Sequence, residues 1–184
     1  MACERITAGI TRTLVGKRPI KAVPDPYNPT GSTMYVNFNT SKRDRWETDA
    51  RRCHINWVIL DSAWEAEFCR VAEAHPKVRA YVKNHNLGFT IPYEHNGMTH
   101  RYHPDFVAKI EMKDKSILNL LIEVTGKKDD KKATKVKTAK ELWVPAINNT
   151  KKHGKWAFLE VQDIHETQNL IRFGMDKGFD KIGV

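Results

Sequence analysis

The chain has 184 residues, 40% of them hydrophobic and 29% charged. That length and balance suit one domain, or one domain with an arm, that buries its own core; they exclude a low-complexity or collagen-like chain. Lys and Arg outnumber Asp and Glu by 31 to 22, a net charge of +9, which favours a polyanionic partner, nucleic acid ahead of a membrane surface. Cys3, Cys53 and Cys69 are scattered and show no CxxC spacing, against a disulfide framework or a cysteine zinc site. No apolar run approaches the roughly 20 residues a membrane span needs, and MACERITAGITRT lacks an apolar signal region. The expectation is a soluble, cytoplasmic protein with no membrane partner.

Residues 1–50 differ from the rest and read as an extended N-terminal arm or a partial upstream segment, with the main domain over 51–184. Within the arm, MYVNFNT (34–40) alternates and predicts a short strand. HINWVIL (54–60) predicts another. Asp61 and Ser62 then offer an N-cap for a helix over 63–75, which Pro76 ends. VRAYVKNHN (78–86) reads as a further helical turn or two. Asn96-Gly97 marks a hairpin between GFTIPY (88–93) and a strand over 99–112. Lys113-Asp114-Lys115 makes a second turn, and SILNLLIEVTG (116–126) is an apolar, central strand. A helix follows over 130–142, ended by Pro145. KWAFLEVQD (155–163) is apolar on both faces, as buried parallel strands are, and 164–175 predicts a terminal helix. This order gives an α/β domain with a mixed sheet flanked by helices.

Three acids stand out. Strand alternation puts His103, Asp105, Val107 and Lys109 on one face of 99–112, opposite Tyr102, Pro104, Phe106, Ala108 and Ile110. In 116–126 it groups Asn119, Leu121, Glu123 and Thr125. Burying Glu123 unpaired in so apolar a strand would cost several kcal/mol, so a cation should compensate it. A short turn makes the two strands antiparallel neighbours, which places Asp105 and Glu123 to share one divalent ion; hard oxygen donors suit Mg²⁺. On the helix over 63–75, Trp64, Phe68, Val71 and Ala72 form the apolar arc, and Glu65 lies at its edge.

Pro104-Asp105 followed eighteen residues later by Glu123-Val124-Thr125 resembles the PD-(D/E)XK nuclease signature. The longer series WEAEF, VRAYVKNHNLGFTIPY, RYHPDF, LIEVTG, LWVPAINN and KWAFLEV is similar to the C-terminal endonuclease region of type III restriction enzyme Res subunits and related helicase-nucleases, over roughly residues 30–163. The resemblance implies a restriction-endonuclease-like core over 51–184 and a magnesium-dependent endodeoxyribonuclease of restriction or phage defence, with Mn²⁺ as a substitute ion. It implies Asp105 and Glu123 as metal ligands, the Val124 carbonyl as a further one, and Glu65 as the helix acid preceding the core. It also implies DNA as substrate, a helicase or translocase and a methyltransferase as partners, and homodimerisation for double-strand cleavage.

One position departs from the pattern. The family commonly carries Lys two residues after the second acid, and here that residue is Thr125, which cannot supply a positive charge. Lys127 lies four residues beyond Glu123. Lys132 shares the inner arc of the next helix with Val136, Ala139 and Trp143, and Lys135 lies on its flank, at a lysine position of the resembled sequences. Three readings follow: the lysine has migrated, with Lys135 the preferred candidate; the metal alone supports the chemistry; or the domain is catalytically impaired and binds DNA within a helicase-nuclease assembly. A weaker alternative is a stand-alone nuclease of repair or transposition. The run KKDDKKATKVKTAK (127–140) holds seven Lys against two Asp and suits phosphate contact, through Lys127, Lys128, Lys131, Lys132 and Lys135. Trp143 and Trp156 read as core. No GxxxxGK[ST] loop is present, so the chain carries no such ATPase motif.

Overall fold

The computed structural model describes residues 2–3, 19–23, 31–125 and 130–179. In chain order the strands and helices are β1 (Ala2–Cys3), β2 (Gly31–Ser32), β3 (Arg45–Glu47), β4 (Trp57–Ile59), α1 (Ala63–Ala74), β5 (Val78–Lys83), β6 (Ile91–His95), β7 (Met98–Tyr102), β8 (Phe106–Glu111), β9 (Ile117–Val124), α2 (Asp130–Lys137), α3 (Val144–Asn148), β10 (Lys155–Val161) and α4 (Thr167–Lys177).

The central sheet runs β10-β9-β8-β5. β8 is antiparallel to both β9 and β5, while β10 is parallel to β9, so the sheet is mixed, as expected. Alternation then divides its side chains between two cores. Phe106, Ala108, Ile110, Leu118, Leu120 and Ile122 pack on one side against Phe68, Cys69, Val71 and Ala72 of α1 and Ile171 of α4. Val107, Leu121, Trp156 and Phe158 pack on the other side against Ala139, Trp143, Ala146 and Ile147. The result is a helix–sheet–helix sandwich. Trp143 and Trp156 are both buried core, with ring centroids 5.3 Å apart in an edge-on contact.

α1 begins where its sequence requires. The Ser62 hydroxyl accepts a hydrogen bond from the Glu65 N–H, capping the first turn. The hairpin also forms as expected: β6 and β7 pair antiparallel, and Asn96 and Gly97 take φ of 53° and 74°, the two left-handed residues of a type I′ turn.

Four local expectations are corrected. Residues 34–40 form no strand; Thr33–Tyr35 make a single 3₁₀ turn, while β3 pairs with β4. Residues 78–83 are strand, not helix. Val78 lies opposite Ile110 and Ala80 opposite Lys109, so one extra residue bulges between them. That bulge puts Val78 and Tyr81, three apart, into the same core, which imitates helical spacing. Residues 99–112 are two strands, broken at 103–105 around Pro104. Finally, the helical segment after residue 130 does not stop at Pro145. It widens into a π-helical stretch over Thr138–Trp143, and Pro145 sits in the first turn of α3. A proline cannot donate to the carbonyl four residues back and crowds it, and the wider π turn accommodates both.

Residues 19–23 lie along this helix. The Ala22 N–H donates to the Ala146 carbonyl at 3.0 Å, and the Asn149 amide donates to the Ile20 carbonyl at 2.9 Å.

Candidate functional site

The antiparallel ladder of β8 and β9 pairs Phe106 with Ile122. One step further, Asp105 falls opposite Glu123 at the end of the ladder. Asp105 lies outside regular strand, and its carboxylate accepts a 2.7 Å hydrogen bond from the Val124 N–H. The acid thus closes the ladder and is held in one place. Val124 is at the site through that N–H.

Glu123 is 6% exposed. Its Oε2 accepts from the Tyr102 hydroxyl at 2.6 Å, and its Oε1 lies 3.7 Å from the Lys132 ammonium. Burial first, and the charge of Asp105 second, push the Glu123 carboxyl up to about 7. Asp105 is also raised, by burial and by the charge of Glu65, against the opposing effects of its Val124 bond and of Lys132 and Lys83. Two neighbouring carboxyls that each resist ionisation form a strongly electronegative corner when both are charged.

Glu65, expected as the helix acid of the site, acts on Asp105 through its charge. It is buried on the α1 side, where its Oε2 accepts from the Lys83 ammonium at 2.6 Å and from the Asp61 N–H at 2.7 Å. Lys83 is itself 8% exposed and also donates to the Ile59 carbonyl and to Asp61 Oδ2, each at 2.7 Å. Lys42 adds a second cation on Asp61. Glu65 therefore contributes to the corner as a nearby charge on Asp105, with an oxygen already committed to Lys83.

The lysines divide as well. Lys132 and Lys135 both project from α2 toward the acids: Lys132 reaches Glu123, and the Lys135 ammonium stands 5.7 Å from the centre of the Tyr102 ring. Lys131 is exposed on α2. Lys127 and Lys128 lie outside the described residues. Thr125, at the position of the expected lysine, is 4% exposed; its hydroxyl is buried and has no hydrogen-bond partner among the described residues.

Two side chains of the candidate site escape sequence reasoning. Tyr102 was placed on the face of Phe106, yet it lies in the core with Val107 and Leu121. The break at Pro104 resets the alternation, and proline inside a strand pattern is the signal for it. Lys83 was hidden by reading 78–86 as helix. Glu160 is a fourth acid in the neighbourhood. It pairs with Glu123 in the parallel register of β9 and β10, its charge helps to raise the Tyr102 hydroxyl, and its Oε2 accepts from Gln162.

Among the described residues, no group of three or more His, Cys, Asp or Glu side chains is arranged to hold a metal ion. The donor set of the corner is two carboxylates, Asp105 and Glu123, with the buried Thr125 hydroxyl, unpartnered among the described residues, two residues beyond Glu123. Hard oxygen donors in that number fit a divalent cation that keeps much of its water. Among the described residues, no helix is long and apolar enough to cross a membrane.

The family model described as "Endonuclease domain" matches residues 52–165, more than half of the chain, and spans Glu65, Lys83, Tyr102, Asp105, Glu123, Lys132 and Lys135. No curated protein and no solved structure matches the chain.

Proposed function

This chain belongs to the endonuclease-domain family, and from that premise we propose that it is a divalent-metal-dependent endonuclease hydrolysing DNA phosphodiester bonds, with Asp105 and Glu123 as the acids that hold Mg²⁺ or Mn²⁺. The observation that carries the reading is the pair itself. Two acids at one register position, both raised by burial, with Glu123 raised further by the charge of Asp105 and Asp105 by that of Glu65, are costly in an apolar strand end and are stabilised by a hard cation.

When bound, the cation would polarise the scissile phosphate and lower the pKa of a water. The protein's own groups do the rest. The Val124 N–H fixes Asp105, and the Tyr102 hydroxyl fixes Glu123. Lys132 stands where an ammonium meets both Glu123 and the charge that builds on a phosphate oxygen. It thereby takes the part that the missing lysine at Thr125 would play, ahead of Lys135, whose ammonium stands over Tyr102. Lys131, Lys132 and Lys135 contact the phosphate backbone, and Lys127 and Lys128 extend the same basic run. A place in restriction or phage defence, beside a helicase or translocase and a methyltransferase and with two copies cutting opposite strands, rests on the resemblance of the motif series.

The test is plasmid and oligonucleotide cleavage with Mg²⁺ or Mn²⁺ by the wild type, Asp105→Asn and Glu123→Gln, alongside thermal melting with and without the ion. We expect the wild type to cut and to melt higher with the ion, and both variants to lose at least about 10³-fold in rate, as when preorganised charge stabilisation is removed, together with the ion-dependent shift. Undiminished cutting by both variants refutes the assignment.

Thr125 supports a second reading, a catalytically impaired DNA-binding module. DNA binding that survives EDTA, with no cutting under any divalent ion, favours it.

A further inference from the structure

β6 and β7 form a separate two-stranded ribbon that pairs with no other strand among the described residues, and its last residue is Tyr102, the hydroxyl donor to Glu123. Its cross-strand pairs are Ile91 with Tyr102, Tyr93 with His100, and His95 with Met98 on one face, and Pro92 with Arg101 and Glu94 with Thr99 on the other. The first face changes along its length. Ile91, Tyr93 and Tyr102 are buried at the root, His95 and His100 are half-buried, and Met98 is 62% exposed at the tip.

Successive residues on that face lead outward from the acid. At roughly 3.4 Å per strand residue, His100 stands about 7 Å and Met98 about 14 Å beyond Tyr102. The imidazoles of His95 and His100 lie 6.4 Å apart, and His100 lies 5.4 Å from the Tyr93 ring. The turn beyond them is open: a Cβ built on Gly97 would meet nothing within 4 Å. α2 packs beside β6, and Lys135 of that helix stands over Tyr102. Lys135 and the root of the ribbon therefore meet at Tyr102, beside Glu123.

A track of imidazoles ending in a flexible apolar side chain, set beside the lysines of α2 and continuous with the proposed phosphodiester-cutting corner, matches a polyanion whose bases offer apolar faces. We propose that the β6–β7 ribbon grips duplex DNA beside the reacting phosphate, entering a groove tip first, with His95 and His100 against the groove edge and Met98 wedged at a base step. Apolar wedges of this kind, Met among them, unstack a step and kink the duplex. The inference rests on the endonuclease reading and adds to it the element that positions the substrate.

The test separates the two. Short duplexes carrying 2-aminopurine at each position in turn are bound to Asp105→Asn protein, so that unstacking is read without cutting. A rise in fluorescence confined to one step is expected, lost when Met98→Ala is added and reduced by His100→Ala. In the otherwise wild-type enzyme, Met98→Ala should cut matched duplex roughly tenfold more slowly and recover on a duplex with a mismatch at that step, where unstacking is already prepared. Cutting and fluorescence indifferent to both substitutions overturn the ribbon's role and leave the hydrolytic reading standing. A Met98-dependent fluorescence step with no cutting by the wild type under any divalent ion overturns the hydrolytic reading and leaves the ribbon's role standing.

Discussion

β8 and β9 bury a carboxylate at each end of their ladder, and the two ends treat it in opposite ways. Glu111, 7% exposed, accepts from Lys77 and Lys115 and is paired with Arg79. Those cations hold its carboxyl down to about 2. Glu123, 6% exposed at the other end, has a tyrosine hydroxyl and one ammonium at 3.7 Å, and stands at about 7. Exposure alone does not distinguish them. The covering does: charged side chains surround Glu111, while apolar core and a second acid surround Glu123. An acid already supplied with three cations is a structural element, and one set against another acid is, on the reading proposed above, a place for an external cation.

The largest expected difference is in activity. Glu111→Gln should leave cutting within about twofold, as substitutions remote from the reacting groups do, whereas Glu123→Gln abolishes it. Comparable losses in both would erase the distinction between the two ends.

Lys83 gives the next largest effect, this time on stability. It is the cation of the α1 side, bonded to Glu65, Asp61 and the Ile59 carbonyl. Lys83→Ala leaves Glu65 buried without its ammonium, at a cost of about 3–5 kcal/mol. Urea denaturation of Lys83→Ala and Lys83→Met measures it. A loss well under 1 kcal/mol in both would mean that Lys83 does not compensate Glu65 and is free to act elsewhere.

How much of this was legible before the fold is itself instructive. Asp105 and Glu123 could be read because a short turn between two alternating strands fixes their register, and register decides which side chains meet. The apolar strands β9 and β10 and the capped helix α1 were legible for equally local reasons. Lys83 and Tyr102 were not. A bulge hid one by making a strand look helical, and a proline hid the other by resetting the alternation midway through an apparently continuous strand. The continuation of the helix through Pro145 was missed because a π turn is set by packing and leaves no simple period in the sequence.

The pH dependence of stability distinguishes the two ends by sign. Glu111 is lower in the folded state than its ordinary 4.5. Its contribution is fully present above about 4.5 and is lost as pH falls toward 2, and Asp61, lowered to about 2 beside Lys42 and Lys83, behaves alike. Glu123 is higher in the folded state, about 7 against 4.5. The folded protein then binds the extra proton between those values, so stability falls as pH rises through that window, by on the order of 3 kcal/mol. Metal-free protein should therefore melt higher near pH 5 than near pH 8. Glu123→Gln should flatten that limb and raise stability at pH 8, and Glu111→Gln should make the acid limb shallower. An alkaline limb unchanged in Glu123→Gln would show that Glu123 does not carry the destabilising charge.

The smallest effect tests whether the corner extends beyond its two acids. The Thr125 hydroxyl is buried and unpartnered among the described residues, two residues beyond Glu123. Nothing in the fold gains from it, and removing a lone buried polar group with a side chain of the same shape is neutral or stabilising by about 1 kcal/mol. Thr125→Val should therefore melt at or slightly above the wild type without metal. If the hydroxyl serves the bound ion or the phosphate, the same variant loses part of the ion-dependent rise in melting temperature and cuts more slowly. Unchanged ion dependence and unchanged rate would confine the working groups to Asp105, Glu123 and the basic side chains around them, and would leave Thr125 as the small residue that fills the space where a lysine stem would otherwise lie.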